Sequence, residues 1–241
     1  MRNDDEQTGK VLGRREALAV LGVSGLALLT GQRLFGQPDA ARRLPSACVV
    51  RPEQTEGPYF VDEMLRRSDI RADPTDGVVT PGTPIELTFN VSRADAGCTP
   101  VAGAHVDLWQ CDHAGVYSDV RDRSFNTVGK KFLRGYQVTD AKGEARFTTI
   151  YPGWYQGRTV HLHFKVRSAP TARPGFEFTS QLYLDDELTD VVHAKEPYKA
   201  KGQRTVRNER DGIFRRGGRD LMLALAPKGD GYTGTFAVAL A

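Results

Sequence analysis

The stretch TVHLHFKV, residues 159–166, alternates between polar and apolar side chains along its whole length. Successive side chains of an extended chain leave on opposite faces, so Val160, Leu162, Phe164 and Val166 share one face and His161 and His163 the other. An apolar face of this kind packs on a core, and the segment reads as a β-strand. The chain has five histidines, and two of them stand side by side on the polar face of this one strand. The run before it, YPGWYQGR at 151–158, holds the paired Pro152 and Gly153 of a turn and carries Tyr155. A strand that is apolar on one side and bears two imidazoles on the other is a candidate metal-binding element.

Outward from this strand, further short runs have strand character: IELTFNV (85–91), AHVDLWQ (104–110), RGYQVTD (134–140), ARFTTI (145–150), FTSQLYL (178–184) and GTFAVAL (234–240). Turn signals such as PGTP (81–84) and DAKGE (140–144) separate them. No helical periodicity of any length and no internal repeat accompany them. The expected fold class is all-β, a β-sandwich with long loops. The turn-rich RPEQTEGPYF, residues 51–60, is expected to lie over the surface of the domain rather than inside a sheet. The basic stretch 199–219 is interleaved with Asp and Glu and reads as a solvated surface segment.

A length of 241 residues suits one good-sized domain, and 39% hydrophobic with 26% charged residues is ordinary for a globular protein. A net charge of +3 is too small to argue for nucleic acid or an anionic membrane as partner. Residues 1–16 are polar and contain the adjacent Arg14 and Arg15, and residues 17–29 are apolar without a charge. That core is short of the roughly 20 residues of a membrane span and suits a secretory h-region. A paired arginine before it resembles a twin-arginine export signal. Residues 1–40 are therefore expected to be a cleavable signal and linker, cut between 36 and 46, with an uncleaved anchor as the alternative. LPSAC, before Cys48, resembles a lipoprotein signal only faintly. The domain is expected over 48–241, periplasmic or extracellular, with no stable membrane association after processing. Outside the cytoplasm Cys48, Cys98 and Cys111 permit one disulfide and leave one thiol over; their spacing leaves the pairing open.

A metal at His161 and His163 needs further ligands. No Asp or Glu falls within ten residues of the pair on either side, and no cysteine pair lies nearby. The polar candidate is the phenol of Tyr155. A free tyrosine titrates near 10, and only a hard, highly charged cation holds it deprotonated at neutral pH. Two histidines with one or two tyrosines point to ferric iron. A second tyrosine is offered by Tyr117, in the loop after the strand at 104–110.

The runs VDLWQCDHAGVYS (106–118) and FLRGYQVTDAKGEARFTTIYPGWYQGRTVHLHFKV (132–166) resemble the intradiol ring-cleavage dioxygenases, from about Cys48 to the last strand. The specific core is RG-x3-TD-x2-G followed by PG-x-Y-x2-R-x2-H-x-H. The resemblance implies a non-haem Fe(III) enzyme that opens catechol-type rings between the two hydroxyl-bearing carbons with O2, giving muconate-type diacids. It implies Tyr117, Tyr155, His161 and His163 as iron ligands, with Tyr155 the one that leaves the metal to take a substrate proton. Arg158 would stabilise negative charge developing on the ring, Gln181 would orient Arg158 or the hydroxide on the iron, and both would line the substrate position with Tyr59 of the EGPYF segment. No long helical N-terminal domain of the kind through which catechol dioxygenases dimerise is expected, so the resemblance implies a small secreted branch, expected to be monomeric or a small homo-oligomer. His105, His113 and His193 read as ordinary residues, with His113 near enough to Tyr117 to lie behind it; Trp109 and Trp154 read as packing residues. The rival expectation is a secreted β-sandwich binding protein with a non-catalytic or different metal site.

Overall fold

The computed structural model describes residues 48–240, and the export segment expected at 1–40 lies outside the described residues. Two sheets face one another. One contains β1 (Pro84–Arg93), the two-residue β2 (Thr99–Pro100), β5 (Glu144–Ile150), β8 (Leu225–Lys228) and β9 (Gly231–Leu240). In it β1 is flanked by β9 on one side and by β5 and β2 on the other, and β8 lies outside β9. The β1–β9 pairing is parallel; the others are antiparallel. The second sheet has the order β4 (Arg134–Val138), β3 (His105–Trp109), β6 (His161–Arg167), β7 (Glu177–Tyr183), antiparallel throughout.

The core follows the alternation. Ile85, Leu87, Phe89 and Val91 of β1 meet Leu162, Phe164 and Val166 of β6, all buried. The Phe89, Phe164 and Phe236 rings lie 5.2–6.3 Å apart. Burying each such side chain is worth about 1.5–3 kcal/mol, which fixes the register of β6 and hence the face its histidines take. The all-β sandwich is the expected architecture.

Between His161 and Val166, β6 is buried on both faces, because the segment 48–70 wraps the sandwich as a belt. Val50 pairs with Ala239 at the end of β9, and the Gln54 N–H donates to Thr179 on the edge of β7. The belt then crosses the outer face of the second sheet and pairs through Arg66 with Tyr136 of β4 and through Asp69 with Thr148 of β5. The 51–60 run thus lies over a sheet, not in one. Cys48 is disulfide-bonded to Cys98, which ties the start of the belt to the β1–β2 turn; Cys111 is free and buried.

Two expectations are corrected. A helix, α1 (Asp186–His193), follows β7; Asp185 Oδ1 accepts the N–H groups of Glu187 and Leu188 and so caps it. Two turns are too short to show a helical period. The stretch 199–219 is not merely solvated surface: Asn208, Asp211, Ile213, Phe214 and Gly218 within it are buried. Among the described residues no helix is long and apolar enough to cross a membrane.

Candidate metal centre

The four side chains singled out as iron ligands come together. His161 opens β6 beside Tyr183 of β7, and His163 sits between Trp109 of β3 and Gln181 of β7. Both imidazoles point away from the core and under the belt. Tyr155 comes from the loop before β6, and Tyr117 from the loop between β3 and β4. His161 Nε2 lies 3.0 Å from His163 Nε2 and 3.1 Å from the Tyr155 hydroxyl. The Tyr117 ring stands edge-on to Tyr155 at 5.8 Å and to His163 at 6.2 Å. The Tyr117 hydroxyl is buried without a hydrogen-bond partner of regular geometry.

Burial, then Arg158, holds the His161 pKa well below its usual value; burial, then His161, then Arg158, does so for His163. Both imidazoles are therefore neutral at pH 7, the ligating form. His161 Nδ1 lies 2.6 Å from the Thr159 carbonyl. A carbonyl only accepts, so the proton is on Nδ1 and the Nε2 lone pair points into the cluster. His163 is stacked on Trp109 at 5.1 Å and 10°. Burial, followed by the neighbouring Tyr155, pushes the Tyr117 phenol well above its ordinary value. Two phenols and two neutral imidazoles crowded at these distances, with one hydroxyl buried without a regular hydrogen bond, fit a small hard cation. No group of three or more His, Cys, Asp or Glu among the described residues is so arranged.

Arg158 is buried beside them. Its Nε donates to Asp211 Oδ2 at 2.8 Å and its Nη2 to Gln181 Oε1 at 2.6 Å. Burial works against its charge, but Tyr155, Asp211 and Tyr183 outweigh this and raise its pKa. Gln181 is fixed in turn by the Tyr183 hydroxyl, which donates to its Oε1, and by its own Nε2, which donates to the Thr55 carbonyl of the belt. Tyr59 lies stacked over Tyr117, centroids 4.4 Å apart, edge-on to Tyr155 at 6.3 Å, and its hydroxyl donates to Asp122. All seven side chains singled out from the sequence thus belong to one cluster.

The remaining histidines lie apart from it. His105 stacks on Tyr136, His193 Nε2 donates to the Pro152 carbonyl, and the His113 ring packs edge-on to Tyr198. Trp154 donates to the Gly202 carbonyl. Asp211, Asn208, Tyr183 and Asp122 were missed. Asp211 heads an Asx turn, its Oδ1 accepting the N–H groups of Ile213 and Phe214; in sequence that marks a turn and not a site.

Known proteins resemble this chain over the segment that carries the cluster. A family model described as "Dioxygenase" matches residues 55–200. A chlorocatechol 1,2-dioxygenase of Pseudomonas putida is 30% identical over 155 residues, covering 54% of this chain and 52% of that protein. A catechol 1,2-dioxygenase of Candida albicans is 26% identical over 207 residues, covering 77% and 58%. The chain spans little more than half the length of these curated relatives. The solved intradiol ring-cleavage dioxygenase from Tetranychus urticae superposes with a TM-score of 0.68 at 31% identity, covering 80% of this chain and 94% of that one. The dioxygenase domain of a carbohydrate-binding fusion protein from Streptomyces sp. SirexAA-E gives 0.56 at 30% identity, covering 80% and 98%. With the matched region enclosing Tyr59, Tyr117, Tyr155, Arg158, His161, His163 and Gln181, the chain belongs to the intradiol ring-cleavage dioxygenase family.

Proposed function

We propose that the protein is a non-haem ferric dioxygenase that cleaves catechol-type rings between the two hydroxyl-bearing carbons, with O2 as co-substrate and a muconate-type diacid as product. Tyr117, Tyr155, His161 and His163 would hold the iron. The observation that carries this reading is the convergence of two phenols and two neutral imidazoles in a buried cluster with Arg158 alongside. Bound Fe(III) would keep the phenols ionised, chelate both catechol oxygens and draw electron density from the ring.

The chain's own residues divide the remaining work. Tyr117 is fully buried in a packed loop and stays in place, whereas Tyr155 is only partly buried and can swing out to accept a catechol proton at its phenolate oxygen. His161 and His163 hold their orientation through Thr159 and Trp109. Arg158, aimed by Asp211 and Gln181, stabilises negative charge as it builds on the ring; such a charge acts most strongly where water is excluded. Tyr59 walls the cluster and keeps water from it.

The Cys48–Cys98 disulfide supports the exported location read from residues 1–40. The test is a visible absorption spectrum of the purified protein, taken anaerobically before and after catechol. A tyrosinate–ferric band that moves to longer wavelength with catechol, followed by loss of catechol on admitting O2, is the expected result. A protein that takes up ferric iron yet stays colourless would sink the ligand set.

A further inference from the structure

The family reading assigns nothing to the segment 208–214, yet that segment reaches the centre of the candidate site. Thr159 stands between Arg158 and the cluster, and every polar group it has is engaged. Its N–H donates to Asp211 Oδ2 at 2.8 Å, its hydroxyl donates to Asn208 Oδ1 at 2.7 Å, and its carbonyl accepts from His161 Nδ1. The same Asp211 Oδ2 accepts from Arg158 Nε at 2.8 Å. The two oxygens of this fully buried carboxylate are split between tasks: Oδ1 caps its own turn, and Oδ2 holds the site.

We propose that Asp211 is a positioning residue: through Oδ2 it aims the Arg158 guanidinium at the substrate position, and through Thr159 it fixes the orientation of His161 towards the metal. This rests on the function proposed above. A single oxygen shared by an arginine and the residue that orients a histidine ties substrate-side charge to metal-side geometry, so one change disturbs both.

The division of the carboxylate makes Asp211→Asn selective. The amide oxygen still caps the turn at Ile213 and Phe214, while the amide N–H groups face the N–H groups of Arg158 and Thr159, donor against donor. Asp211→Ala removes both functions. Both variants are purified as the folded fraction, and for each the Tm, the ferric-ion affinity against citrate and the steady-state constants with catechol are measured. Expected for Asp211→Asn is a drop in ferric affinity of about tenfold or more, the scale of losing a partner that orients a metal ligand. The iron-saturated variant loses about 100-fold in kcat with KM changed less than about threefold, as for a misplaced catalytic group. Asp211→Ala shows the same losses despite a lower Tm.

Wild-type iron affinity and kcat in Asp211→Asn would overturn the proposal. So would losses that follow Tm across the two variants, which would mark a structural role. If the buried Arg158 charge keeps Asp211→Asn from folding, the pair Arg158→Gln/Asp211→Asn removes that charge. Measured against Arg158→Gln alone it should still lose about tenfold in ferric affinity, and equal affinity would overturn the Thr159 link. A wild-type protein that binds ferric iron but leaves catechol intact refutes the proposed function, while the affinity comparison still judges Asp211.

Discussion

Arg158 and Gln181 stand 23 residues apart in the chain and are joined by a 2.6 Å hydrogen bond from Nη2 to Oε1. Gln181 also accepts from Tyr183 and donates to the belt at Thr55. Gln181→Leu therefore leaves the Arg158 Nη2 and the Thr55 carbonyl without their partner, while the Tyr183 hydroxyl keeps Gln54 Oε1 at 2.7 Å. It should cost about 1–3 kcal/mol of stability for each group left unsatisfied and lower turnover, because Arg158 loses one of its two anchors. Thermal melts and steady-state rates on catechol check both; a variant as stable and active as wild type would remove Gln181 from the site.

Tyr117 and His161 should separate stability from iron binding in opposite ways. The Tyr117 hydroxyl is buried and meets Tyr155 without regular hydrogen-bond geometry, so Tyr117→Phe should change the stability of the metal-free protein by no more than about 1 kcal/mol while ferric uptake and the visible band are lost. His161→Ala removes the proton donor to Thr159 and should lower both. Metal analysis beside a melt of the apoprotein distinguishes them.

Gly57 has φ +72°, and a Cβ there would stand 3.2 Å from His163 Cε1. Gly57→Ala adds about 1–2 kcal/mol of left-handed strain and presses the belt on a candidate ligand. Lower Tm together with lower iron retention is expected. Gly77 is also left-handed, at φ +76°, but meets nothing within 4 Å, so Gly77→Ala should lower Tm alone.

Tyr151, Tyr183 and Tyr198 are buried, and burial is the first cause that raises each of their pKa values. Raised acids favour the protonated, folded form. Their contribution to stability is complete below the unfolded value near 10 and is lost as pH rises above it towards the folded values. Metal-free protein should therefore hold its Tm up to about pH 10 on this account and lose it steeply beyond. Phenolate absorbance appearing well before unfolding would contradict this.

Reducing Cys48–Cys98 frees the start of the belt, and the bond closes a sequence separation of 50. A loss of about 2–4 kcal/mol is expected. Cys111 is buried, so a thiol reagent should label it only as the protein unfolds. Melts with and without reductant, with labelling followed by mass, test the pair of statements.

Much of this protein is written in local pattern. Alternation at 159–166 sets a strand and puts His161 and His163 on one face, because side-chain period in a strand is two. The spacings of Tyr155, Arg158 and the histidines lie within one short segment, so the chain itself carries most of the cluster. Short strand-like runs with turn signals between them carry the all-β class. Local pattern did not reach the rest, because those contacts join residues far apart in sequence. Asp211 meets Arg158 across 53 residues and Gln54 meets Tyr183 across 129. A two-turn helix and a buried Asx turn leave no period to read. Which cysteines pair, how the belt buries both faces of β6, and which carboxylate steadies Arg158 were decided only when packing brought distant segments together. There, desolvation made each buried polar group take a specific partner.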